Sequence, residues 1–170
     1  MKIRKLGVQD AENYLNIRLK ALRNNPEAFG SSYEEEKDRT IEMYGKRLSS
    51  EDSYTYGAFR QGKLIGTVTL VREKYLKFRH RANIVGMYVD LDNRGAGVGK
   101  ALLIEAINKA KTIEGMEQLN LSVVTTNENA VKLYTSLGFE IFGTEKRALK
   151  LAESTYLDEH HMVLSLLGMS

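Results

Sequence analysis

The chain has 170 residues, 42% of them hydrophobic, which suits one domain over residues 1–170 with a sizeable core. It has no cysteine, which excludes a disulfide framework, a thiolate metal site and a cysteine nucleophile. The formal charge of +3 is too slight to argue for nucleic acid, and no apolar run approaches the roughly 18 residues of a membrane helix. The start, Met1-Lys2-Ile3-Arg4-Lys5, lacks the apolar core of a signal peptide. The expectation is a soluble, cytoplasmic protein with no nucleic-acid or membrane partner. Internal repeats, low-complexity tracts and linkers are not evident.

In chain order, 3–6 reads as a short strand, followed by a helix with Asp10 as its cap and Tyr14, Ile17, Leu19 and Leu22 at roughly helical spacing. Asn24-Asn25-Pro26 ends that helix, and 26–32 is a loop. A second, very polar helix is expected over 33–48, with Ile41, Tyr44 and Leu48 on a thin apolar stripe and light packing. Its Glu34-Glu35-Glu36 run reads most simply as a solvated face. Strands at 54–59 and 64–71 form a hairpin through Arg60-Gln61-Gly62-Lys63, and Gly66 marks a bulge or a close backbone approach. Residues 72–81, basic with interleaved aromatics, read as a solvated loop that leaves His80 exposed.

Residues 84–89 then form a buried strand, 90–93 a polar turn, and Leu102, Leu103, Ala106, Ile107 and Ala110 a helix face. Between them lies Arg94-Gly95-Ala96-Gly97-Val98-Gly99-Lys100. A strand, a glycine-rich turn and a helix make an anion site, because the first helical N–H groups lack partners and the helix dipole is positive there. Arg94 and Lys100 bracket the loop with further positive charge. A P-loop reading fails because Ala101 follows Gly99-Lys100 and leaves no hydroxyl for magnesium. A dinucleotide reading fails on the glycine spacing. Downstream, 118–124 is a strand, Asn127 caps a helix over 128–137 that stops at Gly138, 139–143 starts another strand, and 156–166 is the last. His160 and His161 are neighbours on a strand and so face opposite sides; with no third ligand evident, no metal is expected.

Arg94-x-x-Gly97-x-Gly99, with Met87-Tyr88-Val89-Asp90 before it, resembles the acyl-CoA pyrophosphate motif of the GNAT family of N-acetyltransferases. A second block, Asn127-x-x-Ala130-x-x-Leu133-Tyr134-x-x-x-Gly138-Phe139, resembles the same family and follows in the expected order. The resemblance implies an α/β (α+β) fold. Its mixed, mostly antiparallel sheet splays open beside the central strand and carries helices on both faces.

It also implies acetyl-CoA as cosubstrate. Backbone groups of Met87, Tyr88 and Val89 would hold the pantetheine arm, Arg94 and the amides of Gly95, Ala96, Gly97, Val98, Gly99 and Lys100 the pyrophosphate, and Asn127 the arm again. Lys100 or Lys132 would reach outer phosphates. Phe29, Tyr33, Glu34 and Glu35, on or beside the first helices, are the acceptor-contact candidates.

The implied reaction is attack of a primary amine on the thioester, the acceptor being a small molecule, a polyamine or a protein N-terminus. An alkylammonium with a pKa near about 10.4 must first lose a proton. Many relatives keep a glutamate near the central strand for this, and 84–89 has none, which leaves open a water chain to backbone carbonyls or to Glu34 or Glu35, or capture of the small neutral amine fraction. Tyr134 is the expected acid for the departing thiolate. The alternative is a catalytically silent acyl-CoA-binding regulatory module. Folds of this kind commonly pair as homodimers, and the residues do not decide that state.

Overall fold

Gln61 and Gly62 both take positive φ (50° and 77°), the conformation whose twist matches a two-residue hairpin, and they join β2 (Ser53–Arg60) to β3 (Lys63–Arg72). The structure, a computed structural model, describes residues 1–168. β1 (Lys2–Lys5) adds to the free edge of β2, and β4 (Arg81–Val89) runs antiparallel to β3. β5 (Gln118–Val124) is parallel to β4; β6 (Glu140–Ala152) and β7 (Thr155–Ser165) form a long hairpin that pairs to β5 through β7. Among the described residues the result is a seven-stranded mixed sheet, ordered β1-β2-β3-β4-β5-β7-β6, with a single parallel pair. No helix among the described residues is long and apolar enough to cross a membrane.

Helices cover both faces. α4 (Val98–Lys111) lays Leu102, Leu103, Ala106 and Ala110 against β2, β3 and β4, all four fully buried. At about 1.5–3 kcal/mol per buried leucine, this face is a main anchor of the core. On the other face α1 (Ala11–Asn24) and α3 (Ile41–Leu48) share a second core of Leu6, Tyr14, Leu22, Tyr44, Leu48 and Tyr88. α5 (Glu128–Ser136) is capped by the Asn127 side chain, which accepts from Ala130 N–H, and Gly138 follows its end at φ 97°.

The polar helix expected over 33–48 is in fact two, α2 (Tyr33–Glu36) and α3, the second capped by Thr40 Oγ1 accepting from Met43 N–H. The break lets the Tyr44 hydroxyl donate back to Glu36 at 2.6 Å, and Arg18 and Ser31 bind the same carboxylate. Glu36 is therefore 1% exposed rather than part of a solvated face, and Ile41 is exposed rather than packed. Asp10 does not cap α1 with its side chain; its carboxylate accepts from Gly7 N–H, across the short turn before α1, and pairs with Arg4 at 2.8 Å. The strand expected from 139 runs to Ala152, well past 143, because a hairpin exposed on both faces shows no apolar alternation.

Candidate active site

β4 and β5 pair only from Arg81–Asn83 against Gln118–Asn120. Beyond that point they diverge, and the opening continues into a cavity of about 1590 Å³. Gly86 is the reason on the β4 side. At φ 61° it belongs to a bulge where Thr67 faces Tyr88 but Thr69 faces Val85. The bulge flips the side-chain alternation, so Ile84 enters the α4 core while Tyr88 enters the α1–α3 core. On β5, Leu119, Leu121 and Val123 enter the α4 core, which turns Asn120 and Ser122 to the opposite face, where both line the cavity.

The glycine loop forms one rim. Gly95 and Gly97 both have φ 76°, and Gly97 is the left-handed residue from which α4 starts. Ala101 N–H is the first to bond back, to Gly97 O at 3.0 Å, so the amides of Val98, Gly99 and Lys100 have no partner within the helix. All three residues line the cavity. A Cβ on Gly99 would lie 2.9 Å from Met87 Cε and 3.3 Å from Leu133 Cδ2, so glycine lets α4 approach β4 and α5 this closely. Ala96 and Lys132 do not line the cavity. Arg94 lines it but is committed to holding the loop. Its Nε donates to Val89 O at 2.9 Å and its Nη2 to Asn25 Oδ1 at 2.8 Å. Both partners are neutral, so Arg94 keeps its charge at this rim, beside Lys100 and the partial positive charge of the free amides.

Met87, Tyr88, Val89 and Asn127 line the wall. The Tyr88 hydroxyl is buried with no hydrogen-bond partner among the described residues. Tyr134 lies across from them on α5, 7% exposed, packed edge-on to Phe139 at 5.9 Å. Burial alone pushes its phenol up to about 12. The acceptor candidates separate. Phe29 lines the cavity under the Arg18 guanidinium, 4.7 Å from the ring centroid. Tyr33, Glu34 and Glu35 do not line it; Tyr33 binds Arg23, Glu34 pairs with Lys37, and Glu35 closes a capping box with Ser32.

Sequence reading missed Glu27, Ser122, Glu159 and His161, all of which line the cavity. Glu159 stands opposite both Val124 and Glu145 in the sheet, and burial pushes its carboxyl up. His161 was noticed only as half of a histidine pair; the two do face opposite ways, His160 to Thr144 and His161 to Ser122 and Glu145. Only strand register could have shown which of them meets the opening.

The family model described as an acetyltransferase (GNAT) domain matches residues 3–161. The L-amino acid N-acetyltransferase AaaT of Escherichia coli is 31% identical over 101 residues, 59% of this chain and 61% of its own length. The chain spans about three fifths of the length of AaaT and of an uncharacterized N-acetyltransferase of Methanocaldococcus jannaschii. An acetyltransferase of the GNAT family from Streptococcus pneumoniae superposes with a TM-score of 0.86 at 27% identity, over 97% of this chain and 99% of its own. The fold also matches yncA of Salmonella typhimurium, solved with its cofactor acetyl-CoA, at a TM-score of 0.82 and 21% identity over 98% and 94% of the two chains. With a glycine loop feeding the N-terminus of α4, a sheet opened at Gly86 and a family model that spans nearly the whole chain, this protein belongs to the GNAT acetyltransferase family.

Proposed function

We propose that this protein transfers the acetyl group of acetyl-CoA to a primary amine, which attacks the thioester directly. The observation that carries this reading is the opening between β4 and β5, rimmed at one end by the unpartnered amides of Val98, Gly99 and Lys100 and walled by the Tyr134 phenol. Those amides hold the pyrophosphate at the positive end of α4, and the positive φ of Gly95 and Gly97 lets the turn bend around it. The pantetheine lies along the free edge of β4. Because Arg94 already occupies the Val89 carbonyl, Met87 is the principal backbone contact, with Tyr88 and Asn127 beside it. Arg94 acts by holding the loop in shape.

Tyr134 remains protonated throughout the physiological range and donates a hydrogen bond toward the sulfur. Full transfer from a phenol near 12 to a simple thiolate near about 8.5 is uphill. The transfer is therefore coupled: the acidic, newly bonded nitrogen returns a proton to the phenol as the sulfur takes one, so that no free phenolate forms. The carboxylates of Glu27 and Glu159, in the same cavity, favour an ammonium acceptor. AaaT is by name an L-amino acid acetyltransferase, so L-amino acids are the first acceptors to try, followed by polyamines and peptide N-termini. The test is calorimetric titration with acetyl-CoA followed by thiol release over these amines. Saturable binding with release on one amine class is expected; binding without release on any amine refutes the transferase reading, and absence of binding refutes the reading of Arg94 to Lys100.

A further inference from the structure

The strand that opens at Gly86 carries no carboxylate, and Glu34 and Glu35 do not line the cavity, so none of these supplies a base at the opening. On the β5–β7 wall, Ser122 Oγ is 2.8 Å from His161 Nδ1, and His161 Nε2 is 3.0 Å from Glu145 Oε2. An ionised Glu145 can only accept, so Nε2 carries the ring hydrogen and Nδ1 is left to accept from the Ser122 hydroxyl. All donors in this chain then point the same way, from the opening toward Glu145. Ser122 lies on the stretch of β5 that β4 has left, on the face turned away from α4, and both it and His161 line the cavity.

We infer that His161 is the proton acceptor of this site, acting through Ser122, with Glu145 as the positioning residue that fixes its tautomer. The inference rests on the transferase reading above. The substrate ammonium donates to Ser122 Oγ, the serine proton moves to His161 Nδ1, and the ammonium proton replaces it on the serine. The neutral amine then forms the C–N bond, the C–S bond breaks, and the sulfur takes the Tyr134 proton. The nitrogen's second proton returns to Tyr134, and the imidazolium releases its own to solvent. The net change is one amide, one thiol and one proton.

Charged groups of both signs surround this arrangement. Glu145 and Glu159 are directly opposite each other on β6 and β7, a like-charge pairing that ordinarily weakens a sheet. Glu27 lines the same cavity from the 26–28 turn that packs on β5 and β6. Glu145 bonds the ring at Nε2 and Glu159 stands two residues along β7 on the same face, while Glu27, Arg18, Arg47 and Arg81 line the same cavity. Gly143, opposite His161 on β6, has no side chain to fill the space beside the ring.

The experiment compares wild type with His161→Asn, Glu145→Gln, Ser122→Ala and Glu159→Gln, using the panel amine that wild type turns over fastest. Acetyl-CoA titration of each variant reports whether its cofactor side is intact. His161→Asn is expected to lower kcat/KM about 100-fold or more and to abolish the acidic limb of its pH profile, with acetyl-CoA affinity unchanged. Glu145→Gln, whose amide no longer fixes the tautomer, is expected to cost about tenfold and to show both ring tautomers in proton–nitrogen spectra, and Ser122→Ala costs about tenfold because water replaces the hydroxyl. Long-range proton–nitrogen spectra of the free protein are expected to show His161 protonated on Nε2. A protonated Nδ1, an unchanged kcat/KM in His161→Asn, or an acidic limb that survives in His161→Asn but vanishes in Glu159→Gln overturns the assignment while leaving the transferase standing. A wild type that binds acetyl-CoA and acetylates no amine overturns both.

Discussion

Glu36 and Glu159 are both withdrawn from solvent, and the structure moves their acidities in opposite directions. Burial works against the charge on Glu36, but Arg18, Ser31 and Tyr44 each bond to its oxygens and together hold it down at about 2. At Glu159 burial dominates, aided by Glu145 opposite and opposed only by His161, and the carboxyl is pushed up. Burial raises the phenols of Tyr44 and Tyr134 alike, and these two divide by their bonds instead. Tyr44 donates to Glu36, whereas burial is the sole influence on Tyr134, whose ring faces the cavity. A polar group with every bond made inside the protein serves the fold; one left with capacity at a cavity wall is available to a ligand.

The two tyrosines provide the sharpest way to break this contrast. Tyr134→Phe is expected to lower kcat about 100-fold to 10,000-fold with acetyl-CoA affinity and melting temperature unchanged. Tyr44→Phe should do the reverse, losing about 1.5–3 kcal/mol of stability by denaturant unfolding while turnover is preserved. Turnover losses of similar size in both would dissolve the distinction.

Glu36→Ala leaves Arg18, with a side chain only 13% exposed, without its counter-charge, and is expected to cost about 3–5 kcal/mol in urea unfolding. The same carboxylate sets an acid limit. Its pKa is lowered on folding, so its stabilisation is complete above the ordinary 4.5 and is lost as pH falls toward about 2. That amounts to about 3 kcal/mol between those limits, seen as a falling unfolding midpoint that flattens in Glu36→Ala.

The smallest effect has the opposite sign. Glu159 is raised on folding, so its contribution is present at low pH and lost as pH rises through the raised value. At neutral pH its charge opposes the fold, and Glu159→Gln is expected to stabilise by less than about 1 kcal/mol, in thermal melts at pH 7 but not at pH 3. A loss of stability at pH 7 would mean that the Glu145–Glu159 pairing is tolerated for a structural reason.

Chemistry set by neighbours along the chain was legible in the residues. The Gln61-Gly62 hairpin, the Asn127 cap, the Gly138 stop and the Gly95–Gly99 turn into α4 all depend on backbone conformations that nearby side chains favour or forbid, and each was read where it stands. Element order and the GNAT resemblance followed from the same local signals. Decisions made across the sheet were not legible. Glu36 follows two solvated glutamates and carries no mark of its own; only the break before Thr40 and the approach of α1 bury it against Arg18. Arg94 reads as an anion ligand, yet the partners that claim its guanidinium are Val89, five residues back, and Asn25, in a distant segment. Ser122, Glu145, Glu159 and His161 come from three strands and meet through register alone, and a slip of one residue would turn each to the other face. The sequence by itself determined the turns, the caps and the anion-binding end of α4, because those energies are local. Which side chains face the opening between β4 and β5 was decided by tertiary structure, through the bulge at Gly86 and the pairing that ends at Asn83.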